Sequence, residues 1–424
     1  MKTNNNSGVV LVAVVCFTAI TAILALGLWS ESGSQLKLAD RQVRLEQAFY
    51  VAEGGAERAV SCIRNSVGNP PGVITGAIGN GTYSVAINLV NGGGGQTWYT
   101  ITSTGEVNSI RKAVTMTGVR QQSWARYAMW YNTGPSDITI AAGDFYGRIH
   151  ANCKIKITGD PHFYDLVSSA ATNWTSGTDL SGAIFDQGYV LGAPTQTLSS
   201  INFTNTASSN CLRTLAGLVV TGATSIRLQS TNVFISNSQR GWTNVNYTSN
   251  NPSFLSTGLI YVASSGTQTG TVQIGGTNFH GRLTVATEWD VLITNHITLA
   301  VHPTNNSDDA IGLLSRHNIF IATNCPKWLN VYAHMVADGS ATPSDLSDGK
   351  FEVVGWDSRD RSKCETMTVY GGIIQNYRGY TSDSSGSHGY YKNYIYDLRF
   401  EDNPPPFYPT MPDQYAWQGW RDKP

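Results

Sequence analysis

Charge is scarce in this chain. Only 13% of its 424 residues are Asp, Glu, Lys or Arg, and the net charge is −1. That balance gives no sign of a nucleic-acid partner, and none is expected. Metal-ligand spacing is missing as well. The eight histidines contain no H-x-H and no H-E-x-x-H, and His296 and His302 stand six apart. His150 and His280 sit beside strand-like segments, where they satisfy local hydrogen bonds. The glycine run 92–95 lacks the Lys-Ser/Thr of a phosphate loop and reads as a turn. Over residues 136–375 no helical period of useful length occurs. The low charge is not disorder, because aromatics reach 10% and β-branched residues are frequent, a composition of sheet and turns.

What the chain does have is one long apolar run. Val9–Trp29 carries no charge over 21 residues, with Lys2 before it and Glu31 after it. A helix of that length measures roughly 31 Å, enough to cross a bilayer core. A cleaved secretory signal, the alternative, would need a basic start, about 7–15 apolar residues and an A-x-A-like site. Here the start holds only Lys2 and no good A-x-A precedes Ser30. The run therefore reads as a retained anchor with the body exported. Orientation by positive charge is weakly marked, since Lys37, Arg41 and Arg44 compete with Lys2.

The pattern then becomes one-sided without breaking. Leu45, Phe49, Ala52, Ala56, Ala59 and Ile63 recur at spacings of three and four, a narrow helical stripe opposite Glu46, Glu53, Glu57 and Arg58. Gly68, Pro70 and Pro71 end it. The helix predicted over 8–66 is about 90 Å long. Its stripe packs either against other helices or against the chain's own globular part.

About 360 residues follow, enough for a large core or two domains. Residues 136–376 hold short alternating segments punctuated by Gly, Asn, Asp and Ser, among them Ile138–Ile140, Lys154–Ile157, Ile226–Leu228, Val272–Ile274, Leu283–Val285, Ile319–Ile321 and Met367–Val369. Strands so short gain stability by stacking coils over a shared core, so the fold class predicted is a long transmembrane helix followed by a mainly β body, a parallel β-helix. A β-sandwich is the alternative. The Thr/Ser/Asn-rich window 171–210 reads as a surface insertion, and 377–424, aromatic and proline-rich, as a C-terminal cap. Trp417 and Trp420 there either plug the coil stack or bind a partner or sugar.

The segment Gly8-Val9-Val10-Leu11-Val12 ahead of the apolar run resembles the leader junction of type IV pilin-like proteins, with Gly8 and Val9 flanking the cut. Gln47–Ala59 is similar to the A-x-x-A-E-A-G-x-E-x-A signature of the PilX-like branch, with Gly54 departing from the usual alanine. Gly81–Val85, Trp98–Gly105 and Arg111–Val114 resemble the strand pair with an I-x-S-x-G turn that follows, a small pilin-like β region over 72–125. Gly143–Asn152, Ile311–Ile319, Gly371–Gly379, Tyr391–Arg399 and Asn403–Pro409 are similar to turns of uncharacterised β-helical domains attached to pilin-like anchors. The resemblance implies a leader over 1–8 removed by a prepilin peptidase, a single pass of the inner membrane, a periplasmic or extracellular body, and packing with other pilins or pseudopilins of a type IV pilus or type II secretion system. Major pilins carry a glutamate five positions after the cut. Here that position is Ala13, as in minor, tip-type subunits.

No enzyme is expected. Asp308-Asp309 and the cluster Asp357, Arg359, Asp360, Arg361 are the nearest to catalytic carboxylates, and both lie in turn-like stretches of solvated charge. The Asn305–Asp309 loop reads as an Asx-rich turn ahead of a calcium site. No cofactor or metal is expected, and cell-surface glycans are the remaining ligand class. Of six cysteines, Cys325 and Cys364 flank strands of one region and form the preferred disulfide, with buried free thiols the alternative.

Overall fold

The computed structural model describes residues 7–65, 70–91, 97–141, 143–198, 201–208, 210–248, 257–383 and 387–423. Most of the leader, the helix-ending Gly68 and the glycine run 92–95 lie outside them. The chain forms two compact units, one of residues 1–90, 98–120 and 415–424, the other of 91–97 and 121–414.

In the first unit a single helix, α1 (Ser7–Asn65), is 59 residues long, about 89 Å. It is followed by β1 (Val73–Ile78), β2 (Gly81–Asn91), β3 (Thr97–Val107) and β4 (Ile110–Ser123), neighbours in that order in one sheet. Strand β3 alternates half-buried with buried residues along its length, the period-2 signature of a sheet with one covered face. The cover is α1. Ala56, Ala59, Val60 and Ile63 pack with Val85, Ile87, Ile101 and Met116, and Ala48 and Val51 pack with Val107. The I-x-S-x-G motif is not a turn. Ile101, Ser103 and Gly105 are alternate residues inside β3, and the chain reverses at Asn108 and Ser109, both at positive φ. Gly105 is needed for a different reason: a Cβ there would stand 2.2 Å from the Ala48 carbonyl oxygen and 2.5 Å from the Ala52 nitrogen. Replacing Gly105 by alanine should therefore prise helix from sheet and destabilise this unit by about 1–3 kcal/mol. Faster amide exchange at residues 48–63 is the readout. Unchanged exchange would mean that helix and sheet do not touch.

The second unit is built from two ladders of short strands paired in parallel, except where Thr224–Gln229, Asn232–Asn237 and Trp242–Thr248 pair antiparallel. One runs Tyr189–Leu191, Val167–Ser169, Arg148–Ala151, Tyr127–Thr133, Thr366–Tyr377, His334–Ala337, Ala310–Ser315, Arg282–Thr287, Leu259–Ala263 and Leu218–Thr221. Thr366–Tyr377 belongs to both ladders, its first half pairing with Trp328–Val331 and Tyr391–Tyr396. It bends between them at Gly371 (φ +148), where a Cβ would lie 2.1 Å from the Ala333 carbonyl oxygen. Like residues stack from strand to strand. Phe145, Phe163 and Phe185 have ring centroids 5.2 and 4.9 Å apart. Between the ladders Ile260, Val262, Leu283, Val285, Ile311, Leu313 and Met335 form one continuous core.

The order of strands departs from a simple progression. The chain enters the first ladder in its middle, at Tyr127–Thr133, with Arg148–Ala151 on one side and the much later Thr366–Tyr377 on the other. It steps outward to Tyr189–Leu191, crosses to the opposite end at Leu218–Thr221, and steps back until it meets its own first strand. An asparagine relay ties the closure: Asn152 donates to Asn132 at 2.9 Å, and Asn132 donates to Asn376 at 3.0 Å.

This topology corrects three expectations. Residues 171–210 are no insertion. They supply the end strand Tyr189–Leu191 and the start of the crossing segment, whose Phe203, like Leu212 just beyond, is buried with Tyr261 and Trp130. The polar composition there serves turns, and a few apolar anchors suffice to bind it. Ile138–Ile140 and Lys154–Ile157 shrink to a single bridge, Ile140 with Ile157. The 377–424 stretch is no end cap. Tyr391–Tyr396 pairs in mid-ladder with Thr366–Gly371 and Phe145–Tyr146, which buries Tyr394 and Tyr396. Gly419–Lys423 belongs to the other unit, antiparallel to Ala113–Thr117 of β4.

Both faces of the first ladder are covered, which explains strands such as Leu259–Ala263 that are buried at every residue. The outer cover comes from the crossing segment and from Phe400, Tyr408 and Met411. Prolines 404–406 offer no N–H to extend a sheet, so their stretch binds through carbonyls instead. Arg282 donates to Asn403 O at 3.2 Å, Thr284 donates to Pro406 O, and Trp124 N donates to Pro409 O at 3.0 Å.

Candidate functional site

α1 divides into two halves with different surroundings. From Gly8 to Val43 no side chain is buried, and the apolar side chains stand free, Leu24 at 61% and Trp29 at 79% exposure. This half is long and apolar enough to cross a membrane. Its threonine hydroxyls are satisfied within the helix. Thr18 donates to the Val14 carbonyl and Thr21 to the Phe17 carbonyl, at 3.0 and 2.9 Å, so neither hydroxyl needs water. Gly8 and Val9 lie in the first turns and are exposed. Charge returns only past Trp29, where Asp40 and Arg44 pair at 2.8 Å across one helical turn.

The second half is already occupied. Of the stripe read as a helix-packing seam, Ala52, Ala56, Ala59 and Ile63 are buried against the chain's own sheet, while Leu45 and Phe49 are half-buried. Trp420 meets the Phe49 ring edge-on at 5.8 Å. Of the two partners left open for this stripe, the one seen is the chain's own sheet. The alanines keep the helix close enough for Gly105 and Ile101 to reach it. Trp417 and Trp420 are each about half exposed, and both belong to the first unit.

The preferred disulfide is not formed. Cys325 and Cys364 are buried thiols with no disulfide between them, and Cys325 Sγ donates to the Ile293 carbonyl at 3.0 Å. Burial pushes the Cys325 thiol up to about 11. Both should resist alkylation in the folded protein and take label after denaturation without any reductant. A requirement for reductant would establish a bridge.

Of the carboxylate candidates, Asp309 and Asp360 are engaged in local structure, and Asp357 is exposed. Asp309 accepts Gly281 N at 2.8 Å and faces His280 Nδ1 at 2.8 Å, while Asp308 is exposed and lends its carbonyl to Arg282. Asp360 accepts Ser362 N at 2.8 Å, and Arg359 donates to the Ala322 and Cys325 carbonyls. The side chain of Arg361 lies outside the described residues. Among the described residues no three His, Cys, Asp or Glu gather as a metal site would require. His150 binds Ser168 Oγ at 2.8 Å and Asn152 Oδ1 at 3.1 Å, and His296 Nδ1 accepts Asn330 N at 3.2 Å. His302 Nδ1 lies 2.7 Å from Thr304 Oγ1.

No known family description matches the chain, and no curated protein matches it. Among solved structures it is similar to the competence-associated pilin ComZ from Thermus thermophilus, with 11% identity over 90% of this chain and 97% of that one, at a TM-score of 0.36. At that score the comparison carries no argument, and the functional reading rests on the residues.

Proposed function

We propose that this chain is a type IV pilin-like accessory subunit. The uncovered half of α1 anchors it in the inner membrane and later packs among the helices of other pilins or pseudopilins. The observation that carries the reading is the division of α1. Its first half leaves an apolar cylinder bare along its length, which water tolerates poorly, whereas its second half is sealed by its own sheet. The Gly8-Val9 junction supports cutting by a prepilin peptidase, and Ala13 in place of an acid supports a minor or tip position over a shaft subunit. On this reading the second unit, its parallel ladders taken as a β-helix, is the body displayed at the periplasmic or outer surface. The reading assigns no catalysis.

Co-expression with a prepilin peptidase tests it. The mature protein should begin at Val9, and Gly8→Glu should leave it uncut. A mature protein beginning at or beyond Ser30 would overturn the proposal.

A further inference from the structure

The second unit carries a cleft of about 410 Å³ to which distant stretches of chain contribute, with Asp137, Trp356, Arg378, Tyr380, Asp383 and Tyr391 among its lining. Its volume falls in the ordinary range for small-ligand sites. Two features set it apart from a packing fault.

The first is a cation without a counter-ion. Arg378 is only 7% exposed, lies over the Tyr131 ring at 5.2 Å, and makes no ion pair among the described residues. The ring face offsets part of its lost hydration, but a buried guanidinium ordinarily sits against a carboxylate or phosphate. The acids of the cleft are committed elsewhere. Asp137 accepts from the Tyr380 hydroxyl at 2.8 Å, and Asp383 faces His388 Nδ1 at 2.8 Å.

The second is an aromatic platform. The Trp356 and Tyr380 rings stack at 4.3 Å and 13°, and the hydrogen bond to Asp137 fixes the tyrosine in place. Tyr391 adds a side chain 57% exposed at the same cleft. Rigid aromatic faces with polar rims take the C–H face of a sugar ring and leave its hydroxyls to hydrogen-bond.

We propose that this cleft binds an acidic saccharide, with the uronate carboxylate paired to Arg378 and a pyranose ring packed on the aromatic side chains of Trp356, Tyr380 and Tyr391. A neutral sugar would leave the guanidinium unpaired, and an acidic peptide would leave the aromatic platform unused. The site is independent of the anchoring proposal, because its failure would not move the N-terminus of the mature protein.

The test uses the full chain in lipid nanodiscs and calorimetric titration with tetrasaccharides of glucuronate, galacturonate and mannuronate, each beside its neutral hexose counterpart. At least one uronide should bind about tenfold more tightly than its neutral partner, a difference that added salt reduces. Arg378→Gln should abolish that preference, and Tyr391→Ala, at an exposed position that leaves folding intact, should weaken the uronide by about fivefold or more. The proposal is overturned if no uronide binds at about 10 mM, if acidic and neutral forms bind alike, or if a tetraglutamate peptide competes equally well.

Discussion

Lowering the pH from 6.5 to 4 should cost the folded second unit about 3 kcal/mol through a single side chain, His334. This histidine is fully buried on the outer face of the first ladder. Its Nε2 lies 3.0 Å from the Tyr127 carbonyl and its Nδ1 2.5 Å from the Tyr408 hydroxyl. A carbonyl only accepts, so Nε2 carries the proton and Nδ1 accepts from Tyr408, whose burial holds it as the phenol. The ring is thus satisfied only when neutral, and burial depresses it to about 3. Because the folded value lies below the unfolded one, the contribution is complete above about pH 6.5. It is lost steadily as pH falls toward 3, at about 1.4 kcal/mol per unit. His317 works in the opposite sense. Burial lowers it, but Asp290 at 2.6 Å and Asp348 at 3.1 Å outweigh that and raise it overall. Its contribution is therefore complete below about pH 6.5 and fades as pH rises through its folded value. Urea midpoints of the wild type and His334→Gln across this range separate the two. The wild type should fall more steeply, and parallel curves would place the titration elsewhere.

Two arginines in the bare half of α1 should release the protein from membranes. Ile20 and Leu24 lie near the middle of the uncharged run and are exposed. Each arginine costs about 2.5–3.5 kcal/mol at a helix centre in a bilayer, so Ile20→Arg with Leu24→Arg removes on the order of 6 kcal/mol of anchoring. The double variant should move from the membrane to the soluble fraction or be degraded, while Glu57→Arg with Arg58→Glu, in the sheet-covered half, should stay. Retention of the Ile20/Leu24 variant would show that the run is not the anchor.

The helix, its apolar half and its stripe were legible because periodicity and length are local properties. The partner of the stripe was not, since Ala52 and Ala56 look the same whether a neighbour's helix or the chain's own sheet covers them. Gly105 carried the missing information, but its motif resembles a turn, and only the 2.2 Å approach to Ala48 distinguishes the two uses. Many short strands were visible as alternating triplets, among them Val272–Ile274 and Leu283–Val285. Their order was hidden. Nothing local tells that Ile373 lies beside Met129, so the closure of late strand on early strand misplaced both the insertion and the cap. The cleft was hidden for the same reason, because Asp137, Trp356 and Arg378 meet only through that closure.

The central claim is that α1 is divided, with a lipid-facing first half and a second half sealed by its own sheet. Quenching by nitroxide-bearing lipids of a fluorescent amino acid placed either at Val15 or at Arg58 tests it most directly. The account predicts strong quenching at Val15 and little at Arg58. Absence of quenching at Val15, or equal quenching at both positions, would contradict it.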